Sequence, residues 1–414
     1  MERFISLFGL AVLIAAAWAM SSNRKRIDWK LVGVALLLQF ALAALVLGTP
    51  PGRWLFDQLG QVVSALLHSV QAGSKFIFGF KVKPTDKDPS YMLLGSFAFG
   101  VLPTIIFFSS LMAILYYFGV MQKLVAGLAW IMQRTLKTSG AESLAAACNV
   151  FVGHTEAPLV IRPYIAKLTM SELNAVMVGG FATISGGLLA VYAGMGVDPG
   201  HLLTASVISA PAGLLIAKIL QPETETPETI GMVKVDVPRQ GVNVVEAAAI
   251  GASDGLKLAL NVGAMLLAFL ALMHMADAFI IWLGDQLGLD WSLAKGLGTL
   301  FYPVAFLMGI PSTDCMAAGE LLGLKTFLNE FVAFERFGDW VKQDPDKLSP
   351  RSRAIITYAL SGFSNFGAIG IQIGGIGGIA PTRQPDIAKL GLRAMVGGAI
   401  ACCMTACVAG LLLP

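Results

Sequence analysis

A polar stretch that contains a proline, set between long apolar runs, limits the fold of this chain more than any other feature. Residues 153–159 bring together His154, Thr155, Glu156 and Pro158. A charged side chain at mid-bilayer costs about 2.5–3.5 kcal/mol, so Glu156 there needs a partner, a ligand or a water-filled cavity. A regular helix cannot run through Pro158, because proline removes a donor and clashes with the preceding turn. The stretch therefore predicts a re-entrant hairpin, which is tolerated only where it is buried in protein or lines a cavity.

The composition places these apolar runs in a membrane. Of the 414 residues, 56% are hydrophobic and 13% are charged, whereas soluble chains carry about 25% charged residues. The net charge of +3 and the lack of a basic run interleaved with aromatics argue against a nucleic-acid partner. The cysteines lie in apolar segments without zinc or Cys-x-x-Cys spacing and are interpreted as packed or lipid-facing thiols: Cys148, Cys315, Cys402, Cys403 and Cys407.

Residues 1–135 predict spans and interfacial helices that form a scaffold. Residues 1–20 are interpreted as a spanning helix rather than a signal peptide, because basic residues follow at once and no small-x-small cleavage site intervenes. These basic residues favour a cytoplasmic C-terminal flank for the first span. The remaining predictions are a span at 31–47, an amphipathic interfacial helix at 54–80, a polar loop at 81–90, a long span at 91–121 with a kink at Pro103, and an interfacial helix at 122–133.

Residues 136–220 predict a hairpin, over 142–164, followed by an interrupted helix over 172–195. The pairs Gly179-Gly180 and Gly186-Gly187 flank Thr183 and Ser185, which favours an unwound middle that bares carbonyl oxygens. Small-residue helix packing is the alternative interpretation. A span at 201–220 and a polar loop at 221–242 follow.

The second half repeats this order. Residues 243–310 predict a long span and an interfacial region, residues 311–383 a second hairpin and interrupted helix, and residues 384–414 a final span. Glu330 occupies the second hairpin at the place that Glu156 holds in the first. Such duplication is typical of secondary transporters. The predicted fold is an all-α polytopic membrane protein with about eight transmembrane helices, two re-entrant hairpins, interfacial helices and inverted repeats.

The polar residues of the hairpins and breaks suggest a ligand site. Glu156 and Glu330 suit ligand hydroxyls or amines, because charge-assisted hydrogen bonds are strong, and Asn365 can donate and accept at one place. These residues could instead be polar contacts inside a helix bundle. Asn149, Thr183 and the carbonyls near Val152 offer only oxygen ligands without a carboxylate, which suits a monovalent ion or no ion at all.

An enzyme is not expected. The sequence has no His-Glu-x-x-His, no Gly-x-Ser-x-Gly and no phosphate-binding loop. A channel and an intramembrane enzyme acting on lipid or peptide stay as alternatives, which single-channel current or substrate turnover would reveal.

Four blocks of the sequence resemble the concentrative nucleoside transporter family. They are residues 149–159, 259–265, 324–333 and 361–365, and the similarity extends over nearly the whole chain. The resemblance implies a homotrimer with eight spans per subunit in a bacterial inner membrane. It implies import of nucleosides by alternating access, driven by a sodium or proton gradient, with no cofactor besides the coupling ion.

The resemblance also implies the roles of individual residues. The nucleobase would face His154, Thr155 and Glu156, with Leu188 and Leu258 along its plane. The ribose would be held by Glu330 and Asn365, beside Phe363. Sodium would lie between Asn149, Val152, Thr183 and Ile184.

The chain departs from the family at a few positions. His154 stands where bacterial relatives often have glutamine, which changes donor geometry and pH response, since an imidazole titrates near neutrality. Ala368 stands where relatives usually have a serine that contacts the ribose. Thr183 replaces a serine but keeps the hydroxyl. Asn149, which proton-coupled members tend to lose, favours sodium over the alternative of proton coupling.

Overall fold

The computed structural model describes residues 1–78, 97–229 and 241–413. Within these ranges the chain is built from helices and contains no β-strand, which confirms the all-α class. The predicted loop at 81–90 lies outside the described residues, as do the beginning of the predicted span at 91–121 and half of the predicted loop at 221–242.

The N-terminal third holds the first five described helices. They are α1 (Glu2–Ala19), α2 (Trp29–Ala43), α3 (Pro50–Phe78), α4 (Leu102–Tyr117) and α5 (Val120–Leu136). A π-helical segment extends α2 over Ala44–Gly48, and another, Phe97–Val101, leads into α4. Helices α1, α2 and α4 are long and apolar enough, with these extensions, to cross a membrane, whereas α3 and α5 correspond to the predicted interfacial segments.

The first hairpin and interrupted helix follow in the predicted order. Their elements are α6 (Gly140–Asn149), α7 (Ala157–Val160), α8 (Met170–Ala182), α9 (Gly186–Gly194) and α10 (Pro199–Leu220). Pro158 is the second residue of α7, where proline is tolerated because the N–H that it lacks would have no partner within the helix. The proline thus opens the second arm of the hairpin.

The interruption between α8 and α9 is shorter than the glycine pairs suggested. Only Thr183, Ile184 and Ser185 leave the helical path, and Thr183 is fully extended. The Ser185 hydroxyl accepts the Leu188 N–H at 3.3 Å and so starts α9. Both glycine pairs remain helical on either side of this break.

A long helix separates the two repeats. Helix α11 (Val244–Leu287) has 44 residues and so measures about 66 Å, far more than the ~30 Å hydrocarbon core of a bilayer. Its surface is mostly exposed, whereas α8, α10 and the last helix of the chain are mostly buried. The short helix α12 (Leu293–Leu307) connects α11 to the second repeat.

The second repeat has the same sequence of elements as the first. They are α13 (Cys315–Phe327), α14 (Glu330–Gln343), α15 (Pro350–Leu360), α16 (Phe366–Ile379) and α17 (Gln384–Leu412). Seven described segments are long and apolar enough to cross a membrane. Helices α15 and α16, interrupted at residues 361–365, would together form an eighth crossing.

The two helix breaks contact each other in the middle of the fold. A Cβ added at Gly362 would lie 2.7 Å from the Phe181 carbonyl oxygen and 2.4 Å from Cys402 Sγ. The Cys402 thiol also lies 3.6 Å from the Ala182 carbonyl oxygen and 3.8 Å from that of Ser361. Gly362 therefore allows the second break to pack directly on the end of α8.

A buried ionic network fixes the base of the first hairpin. Lys218 Nζ lies 2.7 Å from Glu142 Oε2 and also donates to Ser171 Oγ at 3.0 Å. The other Glu142 oxygen accepts the Ser139 N–H at 2.7 Å, which completes a capping box at the start of α6. Because Lys218 belongs to α10 and Ser171 to α8, the network joins three elements of the first repeat.

Candidate functional site

Both hairpin tips, both helix breaks and α11 line one cavity of about 480 Å³. A volume of this size suits a small organic ligand. The nine residues that the sequence predicts as substrate contacts all line it: His154, Thr155, Glu156, Leu188, Leu258, Glu330, Phe363, Asn365 and Ala368. The structure thus brings together residues from five separate segments, while their individual roles stay predictions.

Glu330 and Asn365 form the polar end of the cavity. Asn365 Nδ2 donates to Glu330 Oε2 at 3.0 Å, and the Tyr192 hydroxyl donates to Oε1 at 3.2 Å. Glu330 is 3% exposed and has no cation within 4.0 Å among the described residues. Its charge is therefore satisfied by neutral donors.

The second break determines where the Asn365 amide points. Asn365 is the N-cap of α16, and its Oδ1 accepts the Ala368 N–H at 2.8 Å. With the oxygen engaged by the helix, the amide nitrogen is directed at Glu330. Ala368 itself is buried and brings a methyl group to the wall, so it offers no side-chain hydrogen bond.

His154 and Phe363 meet edge to face on another part of the wall. Their ring centroids are 4.6 Å apart and their planes cross at 89°. A Cβ at Gly180 would lie 2.7 Å from His154 Cβ, so the glycine in α8 provides the space for the imidazole. His154 Nδ1 is buried without a hydrogen-bond partner in the described chain, and His154 therefore has an unused hydrogen-bonding atom.

Thr155 and Glu156 follow His154 at the first hairpin tip and are exposed to the cavity. A Cβ at Gly153 would lie 2.6 Å from Glu156 Oε2, so the glycine leaves room for the carboxylate. Glu156 also lines a smaller cavity of about 160 Å³ between the tip, α4 and α11.

Leucine side chains supply the apolar part of the wall. Leu188 on α9 is 6% exposed, and Leu258 on α11 is 39% exposed. Both line the cavity with His154. An apolar slot with a few directed polar groups is typical of small-ligand sites.

The predicted ion ligands lie around the first helix break. Asn149 is 1% exposed, and neither atom of its amide has a hydrogen-bond partner in the described chain. A Cβ at Gly179 would lie 3.1 Å from Asn149 Nδ2, which places the amide against the last turn of α8. Thr183 Oγ1 donates to the Gly179 carbonyl at 3.0 Å, so its lone pairs can still bind a cation.

These donors fit a monovalent cation. A buried amide without hydrogen-bond partners is costly. A cation bound by the Asn149 amide oxygen would remove part of that cost. Ile184 and Val152 are also buried and would contribute backbone carbonyls. No group of three or more His, Cys, Asp or Glu side chains forms a metal site within the described ranges, so the ligands available here are neutral oxygens, which suit a weakly charged ion.

Several cavity residues were not predicted from the sequence to contact the substrate. Ser185, Asn261, Met265, Asn329 and Ile371 line the cavity. Asn261 and Asn329 lie inside two of the family blocks, which is a signal that could have identified them. Tyr192 lies behind the wall, and no local pattern marks it.

Family models match almost the whole chain. The model described as "Na+ dependent nucleoside transporter C-terminus" matches residues 201–410, the corresponding N-terminal model matches residues 8–81, and a model described as "Nucleoside recognition" matches residues 98–198.

Curated relatives give the same result. An uncharacterized transporter of Haemophilus influenzae is 44% identical over 416 residues, which cover 100% of this chain and 98% of the relative. Solute carrier family 28 member 3 of Eptatretus stoutii is 42% identical, and sodium/nucleoside cotransporter 1 of Mus musculus is 40% identical, each over 99% of this chain. The chain spans 61% and 64% of these two vertebrate relatives.

Solved structures of CNTnw are similar over the full chain. The inward-facing, substrate-bound state has a TM-score of 0.92 at 44% identity and covers 100% of this chain and 98% of the other. An outward-facing variant has the same TM-score and coverage.

Proposed function

Because the chain belongs to the sodium-dependent, concentrative nucleoside transporter family, we propose that it is a symporter that imports nucleosides together with sodium. One observation carries this proposal most directly. The cavity joins the neutral-donor pair around Glu330 to a wall formed by His154, Phe363 and Leu188. A ribose presents hydroxyl donors and a nucleobase presents a flat ring, which match these two parts.

The ribose end would work through its carboxylate. The Glu330 oxygens accept one hydrogen bond each from the protein, and a carboxylate has about four acceptor positions. Each oxygen can therefore also accept a ribose hydroxyl. Such charge-assisted bonds are roughly twice as strong as neutral ones. Ala368 would leave one ribose contact unmade.

The nucleobase end would work through the first hairpin tip. Thr155 and Glu156 face the cavity and can offer a hydroxyl and a carboxylate to the edge of a base. Leu188 and Leu258 would lie along its plane. Position 154 is the place at which base preference would be set.

Sodium would act by ordering the first hairpin tip. Asn149 and Val152 belong to the hairpin, while Thr183 and Ile184 belong to the break after α8. An ion held by all four would pin the tip that also presents Glu156. The nucleoside-competent state would then be populated mainly when sodium is bound, which is a population shift.

The gradient supplies enough free energy for accumulation. Moving one charge across ~100 mV is worth about 2.3 kcal/mol. A tenfold sodium gradient adds about 1.4 kcal/mol, and the sum supports roughly 500-fold accumulation of the nucleoside.

Transport would proceed by alternating access. We propose that the two hairpins and broken helices, residues 136–220 and 311–383, move with α17 against a scaffold formed by residues 1–135 and 243–310. CNTnw is known in inward-facing and outward-facing states, which supports such a motion.

The exposed apolar surface of α11 suits contacts with lipid and with two further subunits of a trimer. We place the protein in a bacterial inner membrane.

Uptake of radiolabelled uridine into proteoliposomes tests this function. We expect accumulation with an inward sodium gradient and little uptake when choline replaces sodium. Equal uptake in both media would exclude sodium coupling, and uptake that follows an imposed pH gradient instead would identify proton coupling. Absence of uptake of both labelled uridine and labelled adenosine in every medium would overturn nucleoside transport itself.

A further inference from the structure

Tyr192 is a fully buried tyrosine behind the wall of the substrate cavity. Its side chain is 0% exposed and does not line the cavity. Its hydroxyl nevertheless donates to Glu330 Oε1 at 3.2 Å. The Tyr192 hydroxyl can therefore affect a ligand through Glu330, without touching the ligand itself.

The tyrosine ring is held by the helix that presents Glu330. It stacks on Phe334 with a centroid distance of 4.3 Å and a plane angle of 26°. It also meets Phe331 edge to face at 5.1 Å. Because both phenylalanines lie in the first two turns of α14, the hydroxyl keeps a fixed position relative to the Glu330 backbone.

Glu330 is consequently held from two sides. Tyr192 engages Oε1, while Asn365 Nδ2 engages Oε2 at 3.0 Å. The two donors come from different repeats, Tyr192 from α9 and Asn365 from the second break. A carboxylate with one fixed donor on each oxygen cannot rotate freely, so its remaining lone pairs keep constant directions toward the cavity.

We propose that Tyr192 is a positioning residue for ribose recognition: its hydroxyl orients the Glu330 carboxylate toward the ribose hydroxyls, without touching the substrate. This inference rests on the proposed nucleoside transport. It assigns the selectivity for ribose over deoxyribose sugars partly to a residue outside the binding site. It also predicts that Tyr192 has no part in distinguishing one base from another.

The test uses Tyr192→Phe, which keeps the ring and its packing but removes the hydroxyl. The matched control is Tyr358→Phe, since Tyr358 is also fully buried and its hydroxyl has a partner away from the cavity, His201 Nδ1 at 3.0 Å. Inhibition constants for unlabelled uridine and 2',3'-dideoxyuridine are measured by competition against labelled uridine uptake. Measuring both ligands on the wild-type protein and on Tyr192→Phe gives a double-mutant cycle. The protein loses the tyrosine hydroxyl, and the ligand loses its two secondary hydroxyls.

We expect Tyr192→Phe to raise the inhibition constant of uridine about 5- to 10-fold, which is less than the loss of a whole hydrogen bond to a charged group, because the substitution misdirects the bonds to the ribose and deletes none of them. The inhibition constant of dideoxyuridine, which lacks both secondary hydroxyls, should stay within about 2-fold of its wild-type value. Tyr358→Phe should change neither inhibition constant. Equal weakening of both ligands would show that the hydroxyl serves only the fold, and would overturn the inference, as would no weakening of either. The ratio of the two constants comes from one sample, so it does not depend on how much protein is folded.

Failure of the inference can be told apart from failure of the proposed function. If the wild-type protein takes up uridine and Tyr192→Phe has the same two constants, only the role of Tyr192 is wrong. If the wild-type protein takes up neither uridine nor adenosine, nucleoside transport is wrong and the role of Tyr192 falls with it.

Discussion

The imidazole of His154 and the ring of Phe363 meet edge to face, with centroids 4.6 Å apart. His154 belongs to the first hairpin tip and Phe363 to the second helix break. One aromatic contact therefore joins the two repeats at the wall of the substrate cavity. Any change at position 154 alters this contact and, in the function that we propose, the polar group that would face the base.

His154→Gln should change base preference. Glutamine would present a different donor and acceptor geometry to the edge of a base, and one hydrogen bond is worth about 0.5–1.5 kcal/mol, so we expect the ratio of inhibition constants for adenosine and uridine to shift about 2- to 10-fold. Competition for labelled uridine uptake measures the ratio. His201→Gln is the control, because His201 lies away from the cavity, and it should leave the ratio unchanged. An unaltered ratio in His154→Gln would remove position 154 from base selection.

Glu330→Gln should weaken uridine binding while the protein remains folded. The substitution keeps the shape but removes the charge that strengthens hydrogen bonds to the sugar, and a charged hydrogen bond is worth about 1.5–3 kcal/mol. We therefore expect an affinity at least about 10-fold lower in equilibrium binding to the purified protein. Glu320→Gln is the control on the same hairpin, since Glu320 pairs with Arg336 outside the cavity. Wild-type affinity in Glu330→Gln would remove Glu330 from the site.

Asn149→Ala should raise the sodium concentration needed for half-maximal uridine uptake. The substitution deletes the side-chain oxygen that we propose as an ion ligand, and we expect an increase of about tenfold, or ~1.4 kcal/mol. Asn174→Ala is the control in α8, where the amide donates to the Ala217 carbonyl at 3.0 Å. If both variants respond to sodium as the wild-type protein does, Asn149 does not bind the ion.

Gly362→Ala should destabilise the fold at the contact between the two helix breaks. The new methyl group would meet backbone atoms of Phe181 and Ala182 at 2.7 and 3.1 Å, and overpacking of this kind costs about 1–3 kcal/mol. Gly370→Ala in α16 is the control, since nothing lies within 4 Å of its added Cβ and alanine favours a helix by up to ~1 kcal/mol. Thermal unfolding in detergent compares the two. A midpoint for Gly362→Ala at or above that of Gly370→Ala would contradict the close contact.

The sequence was sufficient to predict the elements because their signals are local. Pro158, the glycine pairs and the long apolar runs each constrain their own segment. The described chain contains the helices of the predicted hairpins and broken helices, and seven segments long and apolar enough to cross a membrane. Glu156, Glu330 and Asn365 could be identified because they lie within short blocks that resemble one family.

Contacts between distant segments could not be predicted in the same way. In the sequence, Tyr192 does not differ from any other tyrosine in an apolar helix. Its hydrogen bond to Glu330 exists only because α14 packs against α9. Nothing in the local sequence predicts that Gly362 contacts Ala182, because this contact arises only where the two helix breaks pack against each other. The pairing of Lys218 with Glu142 likewise depends on how α10 and α6 are arranged, and neither residue marks its partner locally.

The Lys218–Glu142 pair gives a last prediction, which concerns how firmly the first hairpin is anchored. The exposed fractions of these two side chains are 8% and 2%. Lys218 also lies 3.5 Å from Glu223 Oε2, whereas removing Lys218 leaves the Glu142 charge buried without a cation. Breaking a buried pair costs about 3–5 kcal/mol. Because the Glu142 carboxylate still accepts the Ser139 N–H, we expect the lower end of this range for Lys218→Met, measured as a lower midpoint of thermal unfolding.

Adding Glu142→Gln to the Lys218→Met variant removes the unpaired charge and should restore more than half of the lost stability. Lys167→Met is the surface control, since both partners of the Lys167–Glu228 pair are more than 60% exposed, and it should cost under ~1 kcal/mol. If the double variant is less stable than Lys218→Met alone, the charge of Glu142 is satisfied without Lys218 and the pair does not anchor the hairpin.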